Sequence, residues 1–186
     1  GQHVVRQLLD KGHSVVALTS SPDRAVGRET DRDVTWRLHD WRESVDFTDH
    51  VQGCDAVIHL GAEIWRIDRM ERVNVEATAA LAAAAEAAGI RSVVFASSIA
   101  VYGSPTQAEV DEDTTRLTPS HDVKSEYRGT DSIRAYGRSK VKAEDAIAAA
   151  CRNTHFAVVR PTVVADIDDI ANAVNMNPLV KSIGAK

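Results

Sequence analysis

Apolar residues along the chain fall into two patterns: short continuous runs, and longer stretches at helical period. Val4, Val5, Leu8 and Leu9 recur at helical spacing, and Gly12 follows as a stop signal. Residues 14–19 (SVVALT) are short, β-branched and mostly apolar, the pattern of a buried strand. A polar loop comes next, then a second strand over 34–38 and a short helix over 45–51. Residues 55–60 (DAVIHL) read as a strand, and residues 74–88 as a helix ended by Gly89. Residues 92–97 (SVVFAS) give another strand. Residues 103–133 are polar, with Pro105 and Pro119, and read as a long loop. Helix resumes over 135–151, and a last strand covers 155–160.

Strands thus alternate with helices, and the strands are nearly continuous apolar runs. That pattern predicts an α/β fold with a doubly wound parallel sheet covered on both faces. Such sheets bind ligands at the carboxyl ends of their strands. The residues to inspect therefore come after Leu18, Leu38, Leu60, Phe95 and Val159.

The 186 residues are 44% hydrophobic and 26% charged, enough for one core. A formal net charge of -5 argues against a general nucleic-acid partner, which a basic face would mark. Cys54 and Cys151 stand far apart, fitting a reducing compartment without a disulfide framework. No stretch has the length and apolarity of a membrane span, and no secretory signal opens the chain. The expectation is a cytoplasmic protein with neither nucleic-acid nor membrane partners.

Several candidates sit at the strand ends. Gly61 and Ala62 come after the DAVIHL strand, where small residues let a ligand approach the backbone or simply make a tight turn. Ser97 and Ser98 come after SVVFA, where serines cap turns or bond a substrate oxygen. In YGRSK, Tyr136 and Lys140 stand at i and i+4 of a predicted helix, hence on one face. A free tyrosine, with a pKa near 10, is too weak a base at neutral pH, and a nearby ammonium lowers that value. So tuned, the phenol exchanges a proton with a carbinol while a hydride moves elsewhere. The plain alternative is an exposed Tyr and Lys without a shared task.

Four blocks, in order, resemble the extended short-chain dehydrogenase/reductases, the NAD-dependent epimerase/dehydratase family. They are DAVIHLGA, NVEATAALAAAAEAAGIRSVVFASSIAVYG, YGRSK and VVRPTVV. The resemblance runs from Gly1 to about Val164 and implies a Rossmann-type sheet. It implies Tyr136 as general acid/base. It implies that Lys140 lowers the tyrosine pKa and bonds the nicotinamide ribose. It implies that Ser98 polarises the substrate oxygen, with Ser97 as the nearest rival. Gly61 and Ala62, after Leu60, pass beneath the cofactor in this reading, and Asp40 with Trp41 reaches the adenine. Asn74, Ala96, Ser97 and Pro161 belong to the implied cofactor set as well. Gly1 stands for the last glycine of the phosphate turn.

The chain departs from the family in three places. The family opens with a strand and G-x-x-G-x-x-G, whose helix N-terminus meets a pyrophosphate. GQHVVRQLLDKGHSV resembles only the last glycine of that turn and the helix after it. The expectation is therefore a longer protein, with a first strand outside these residues. After RPTVV, the stretch ADIDDIANAV resembles a later helix start capped by Asp168 or Asp169, joined across missing residues. The acidic cluster Asp166, Asp168 and Asp169 is read as that cap and not as a metal site. Residues 1–164 are thus assigned to the dinucleotide-binding domain and 165–186 to a remnant of the substrate region. The stretch HDVKSEYRGTDSIRA reads as an insertion flanking the pocket.

The second strand ends in Thr19 and Ser20, with Asp23 and Arg24 beyond them. An NAD site usually carries an acid at that strand end, and Arg grips a 2′-phosphate. The lean is to NADP, and Asp23 keeps NAD open. The resemblance implies a small-molecule substrate, which could be a nucleotide sugar, and a homodimer. Ile99-Ala100 stands where dehydratases of the family carry Asp-Glu, which argues against dehydration. An epimerase of nucleotide sugars leads. A reductase of small carbonyl compounds and a non-catalytic dinucleotide sensor are the alternatives.

Overall fold

A computed structural model describes residues 1–21, 23, 33–103, 109–118, 131–162 and 164. Arg24, Asp166, Asp168, Asp169 and the region 165–186 lie outside the described residues. Helix α1 (Gln2–Asp10) leads into strand β1 (Val15–Thr19), and β2 is Val34–Leu38. Helix α2 (Thr48–Val51) precedes β3 (Ala56–His59). Helix α3 (Ile67–Met70) runs through a π-helical segment (Glu71–Glu76) into α4 (Ala77–Ala87). Strand β4 is Ser92–Ala96, and a 3-10 turn (Ile99–Tyr102) succeeds it. Helix α5 (Asp131–Ala150) and β5 (His155–Val159) close the series.

All pairings among the described strands are parallel, as the apolar runs predict, but they form two sheets. β1 pairs with β2, while β3, β4 and β5 pair in that order. Between β1 and β3 lies a cleft of about 1100 Å³, lined along both strands and by Val4, Val5 and Leu8 of α1. The family's first strand is expected at this position; the described residues place no strand there. No residue of α1 is buried, because the helix packs mainly on β1.

The core lies on one face of the three-stranded sheet. Val93 and Phe95 of β4 meet Ala77, Leu81, Ala82 and Ala85 of α4 and Ala143 and Ile147 of α5. Alanines on α4 let that helix pack closely on α5. Phe95 is wholly buried, which stabilises the fold by roughly 1.5–3 kcal/mol. The expected cover on both faces is incomplete among the described residues. Ile58 and Val159, on the opposite side of their strands, remain exposed. Helix α4 ends as predicted at Gly89, whose φ of 68° suits glycine. Helix α5 begins at Asp131, earlier than the polar composition suggests, so residues 131–135 of the expected insertion are helical.

Glu86 clamps α4 to the turn before β5. Its carboxylate accepts the backbone N–H of Asn153 (3.0 Å) and of Thr154 (2.9 Å) and the Asn153 amide (2.7 Å). The Thr154 bond leads in drawing its pKa from 4.5 to about 2, against the pull of desolvation. A depressed carboxyl pKa contributes stability above the unfolded value and loses it as pH falls towards the folded one. Glu86→Gln is therefore expected to flatten the fall of the melting temperature between pH 4.5 and about 2. Parallel acid profiles for the two proteins would refute the clamp.

Candidate active site

The carboxyl end of β4 turns sharply into the 3-10 segment, and α5 packs against that segment and β5. Ser98, in extended conformation, caps the segment: its Oγ accepts the Ala100 N–H at 3.2 Å. The Ile99 N–H reaches the Pro161 carbonyl at 3.1 Å, and the Ser97 N–H reaches the Val159 carbonyl at 2.8 Å. The ends of β4 and β5 are thereby tied together, with Ala96 closing β4 and Pro161 just beyond β5.

Helix α5 buries Tyr136, Gly137, Ser139 and Lys140. The alternative of an exposed Tyr and Lys is thus excluded: Tyr136 is 9% exposed and Lys140 1%. Burial raises the Tyr136 pKa, and a hydrogen bond with the Ser98 side chain draws it part of the way back. Lys140 Nζ sits 4.2 Å above the Phe95 ring and 5.9 Å from the centre of the Tyr136 ring. Burial brings the ammonium down to about 8, with Glu144 opposing that fall. The expected lowering of the Tyr136 pKa by Lys140 is not seen at this 5.9 Å separation. Desolvation dominates, and the phenol holds its proton.

Asn74 lies in the π-helical segment, a distortion often found at functional sites. Its Oδ1 accepts the Glu63 N–H at 2.7 Å, and its Nδ2 donates to the Glu63 carbonyl and to Ser139 Oγ, both at 2.8 Å. Ser139 Oγ in turn donates to the Tyr136 carbonyl at 2.7 Å. The amide is therefore used inward, joining the loop after β3 to the helix that carries Tyr136. Asn74→Leu would strand these buried groups, at about 1–3 kcal/mol each. A lower denaturant midpoint is expected, and an unchanged midpoint would show that the network carries no stability.

Other expected cofactor contacts are engaged differently. Asp40 is held by the Arg42 guanidinium, whose hydrogen bonds bring its carboxyl to about 2. Trp41 lies over Gly61, where a Cβ would collide with the indole; its ring also meets the His59 ring at 4.9 Å. Indole, not open space, thus covers the glycine in this arrangement. Leu60 and Ala62 are exposed beside it. Thr19 Oγ1 accepts the Ser21 N–H at 3.1 Å, and Ser20 is exposed. Gly1 starts α1 without a side-chain cap.

His59 was not singled out by sequence reasoning. It is buried at the end of β3, with Nε2 2.7 Å from Thr78 Oγ1 and Nδ1 unpartnered. Desolvation first, and Lys140 second, bring its pKa to about 3, so the ring is neutral. Ser97 Oγ is also buried without a well-formed hydrogen bond, though it is near enough to Glu144 to help hold that carboxylate ionised. Two hydroxyls, an ammonium and unpartnered polar atoms at adjacent strand ends fit the nicotinamide end of a dinucleotide. No group of three or more metal-ligating side chains occurs among the described residues.

The family model described as the NAD dependent epimerase/dehydratase family matches residues 1–165. A Synechocystis protein whose name refers to a dihydroflavonol 4-reductase is 32% identical over 170 residues, covering 87% of this chain and 45% of that protein. The UDP-glucose 4-epimerase of Bacillus subtilis is 31% identical over 127 residues, covering 61% of this chain and 38% of its own. The structure of MoeE5 in complex with UDP-glucose and NAD superposes with a TM-score of 0.63 and 26% identity, over 85% of this chain and 48% of that one. The chain thus spans less than half the length of these proteins.

Proposed function

Because the chain belongs to the NAD dependent epimerase/dehydratase family, we propose that the whole protein performs nucleotide-sugar epimerisation at a carbinol carbon, using NAD and the residues Ser98, Tyr136 and Lys140. The observation that carries this reading is the burial of the Ser98 and Tyr136 hydroxyls against each other, with Lys140 one helical turn along. Bound NAD would supply the hydride acceptor and donor. Ser98 orients the substrate oxygen. Tyr136 Oη exchanges the proton with that oxygen, and Lys140 bonds the nicotinamide ribose and supports the phenolate when it forms.

NAD is preferred here because one structural neighbour, MoeE5, is in complex with UDP-glucose and NAD. The lean to NADP rests on the hydroxyls of Thr19 and Ser20, where an acid would mark NAD, and on Arg24, which lies outside the described residues. Dehydration is disfavoured at Ala100, which is buried against Met70 and Tyr136 where the family's dehydratases carry an acid. Pairing of two copies through α4 and α5 belongs to the same reading. Sedimentation at the mass of a single copy would overturn that part.

The test is incubation of the whole protein with UDP-glucose and catalytic NAD, and then separation of the products. An epimerised sugar without net NADH supports the reading. The named Synechocystis relative favours a second reading, reduction of a small carbonyl compound. Stoichiometric consumption of reduced cofactor with such a carbonyl, and no epimerised sugar, would favour it instead. A protein that binds cofactor and turns over neither substrate would be the non-catalytic sensor.

A further inference from the structure

Four residues beyond Lys140, Glu144 is 4% exposed, and its carboxylate is a hub. Arg160, just after β5, donates to it from Nε at 3.0 Å and from Nη2 at 2.9 Å. Arg116, from the segment after the 3-10 turn, donates from Nη1 at 2.8 Å and shares its other nitrogen with Asp145 at 2.9 Å. Arg160 also donates to Tyr102 Oη at 2.6 Å. Desolvation works against ionisation of Glu144, yet the two guanidiniums keep its pKa below the ordinary value. One buried carboxylate therefore joins α5, the end of β5, the 3-10 turn next to Ser98 and the 116 segment.

We infer that Glu144 is a positioning residue for the proposed reaction: through Arg116 and Arg160 it fixes the helix bearing Tyr136 and Lys140 against the Ser98 turn, and it sets the charge balance around the Lys140 ammonium. The inference rests on the proposed function. Two physical arguments support it. A buried ion pair is weak evidence for stability, since desolvation offsets most of the attraction. Its placement between elements that meet only in the folded site is better explained by geometry. Glu144 also lies at i+4 from Lys140, on the same helical face. The charged and titratable groups around Lys140 are then neutral His59 from β3, Tyr136 on its own helix, and Glu144, whose carboxylate opposes the loss of the ammonium proton. Arg116, Arg160, Asp145 and Tyr102 act on that carboxylate in turn.

The measurement is NADH affinity of the full-length protein as a function of pH, for the parent, Glu144→Gln and Arg116→Gln. An ammonium that bonds the ribose makes affinity fall as pH rises through its pKa of about 8. Glu144→Gln removes the supporting carboxylate, so this alkaline limb moves to lower pH, by on the order of one unit. Arg116→Gln leaves the carboxylate less neutralised, so the limb moves to higher pH. Opposite displacements are a signature that a merely structural clamp does not give. If Glu144→Gln fails to fold, the partly exposed Arg116 decides alone. A limb present in the parent and unmoved in the folded variants overturns the inference while leaving the proposed function in place; a limb absent from the parent overturns the inference together with the ribose contact assigned to Lys140. Failure of the parent to bind NADH overturns the proposed function, and the inference with it.

Discussion

Tyr136→Phe is expected to lower turnover by roughly 10²–10⁴, the usual contribution of a positioned proton-transfer group, with cofactor affinity unchanged. The ring of Tyr136 packs with Met70 and Ala100, and phenylalanine keeps that packing. The substitution removes the hydroxyl beside Ser98. Steady-state rates and a cofactor titration on the same preparation separate the two effects. Unchanged turnover with the folded variant would remove Tyr136 from the chemistry. The pH dependence has a definite sign. Burial raises the phenol pKa, so below that value the group holds a proton it can donate, and base character is gained only as pH rises.

Gly137→Ala is expected to destabilise the protein and to damage the site together. In an ordinary helix, alanine would gain up to about 1 kcal/mol over glycine. Here an added methyl would collide with the Ala100 carbonyl oxygen, and would lie 3.1 Å from its carbon and 3.2 Å from Leu117 Cδ1. The obstacle is backbone, which yields far less readily than the tip of a side chain. Overpacking of this kind costs about 1–3 kcal/mol, so the net effect is a loss. The strain also parts α5 from the segment capped by Ser98, which separates the two hydroxyls. A lower melting temperature together with a lower rate constant is expected. A variant as stable and active as the parent would mean that α5 can shift without disturbing Ser98 and Tyr136.

The strands were legible because they are short apolar runs bounded by polar residues. The strand expected over 92–97 contains β4 and overshoots it only at Ser97, and the strand expected over 34–38 is β2. The burial of Tyr136 and Lys140 together accords with their i, i+4 spacing on a helix. Other features depend on partners distant in sequence. The helix expected over 74–88 gives no sign of the turns over 67–73 or of the π segment, which Asn74 uses to reach Glu63 and Ser139. The packing of Trp41 over Gly61 joins two strand ends that no local pattern connects. The Glu144 hub draws arginines from 28 residues before it and 16 after it, so spacing gives no cue to the pairing. The division into two sheets was foreshadowed by the family's expected first strand. Composition gave no hint of it.

Titration of the full-length protein with NADH and NADPH, and then dialysis of the complex, tests the central claim most directly. A nicotinamide dinucleotide is expected to bind, with NADH preferred, and to survive dialysis as in an enzyme that recycles its cofactor internally. Absence of binding for both dinucleotides would contradict it, and the Ser98, Tyr136 and Lys140 arrangement would then be a remnant without its reaction.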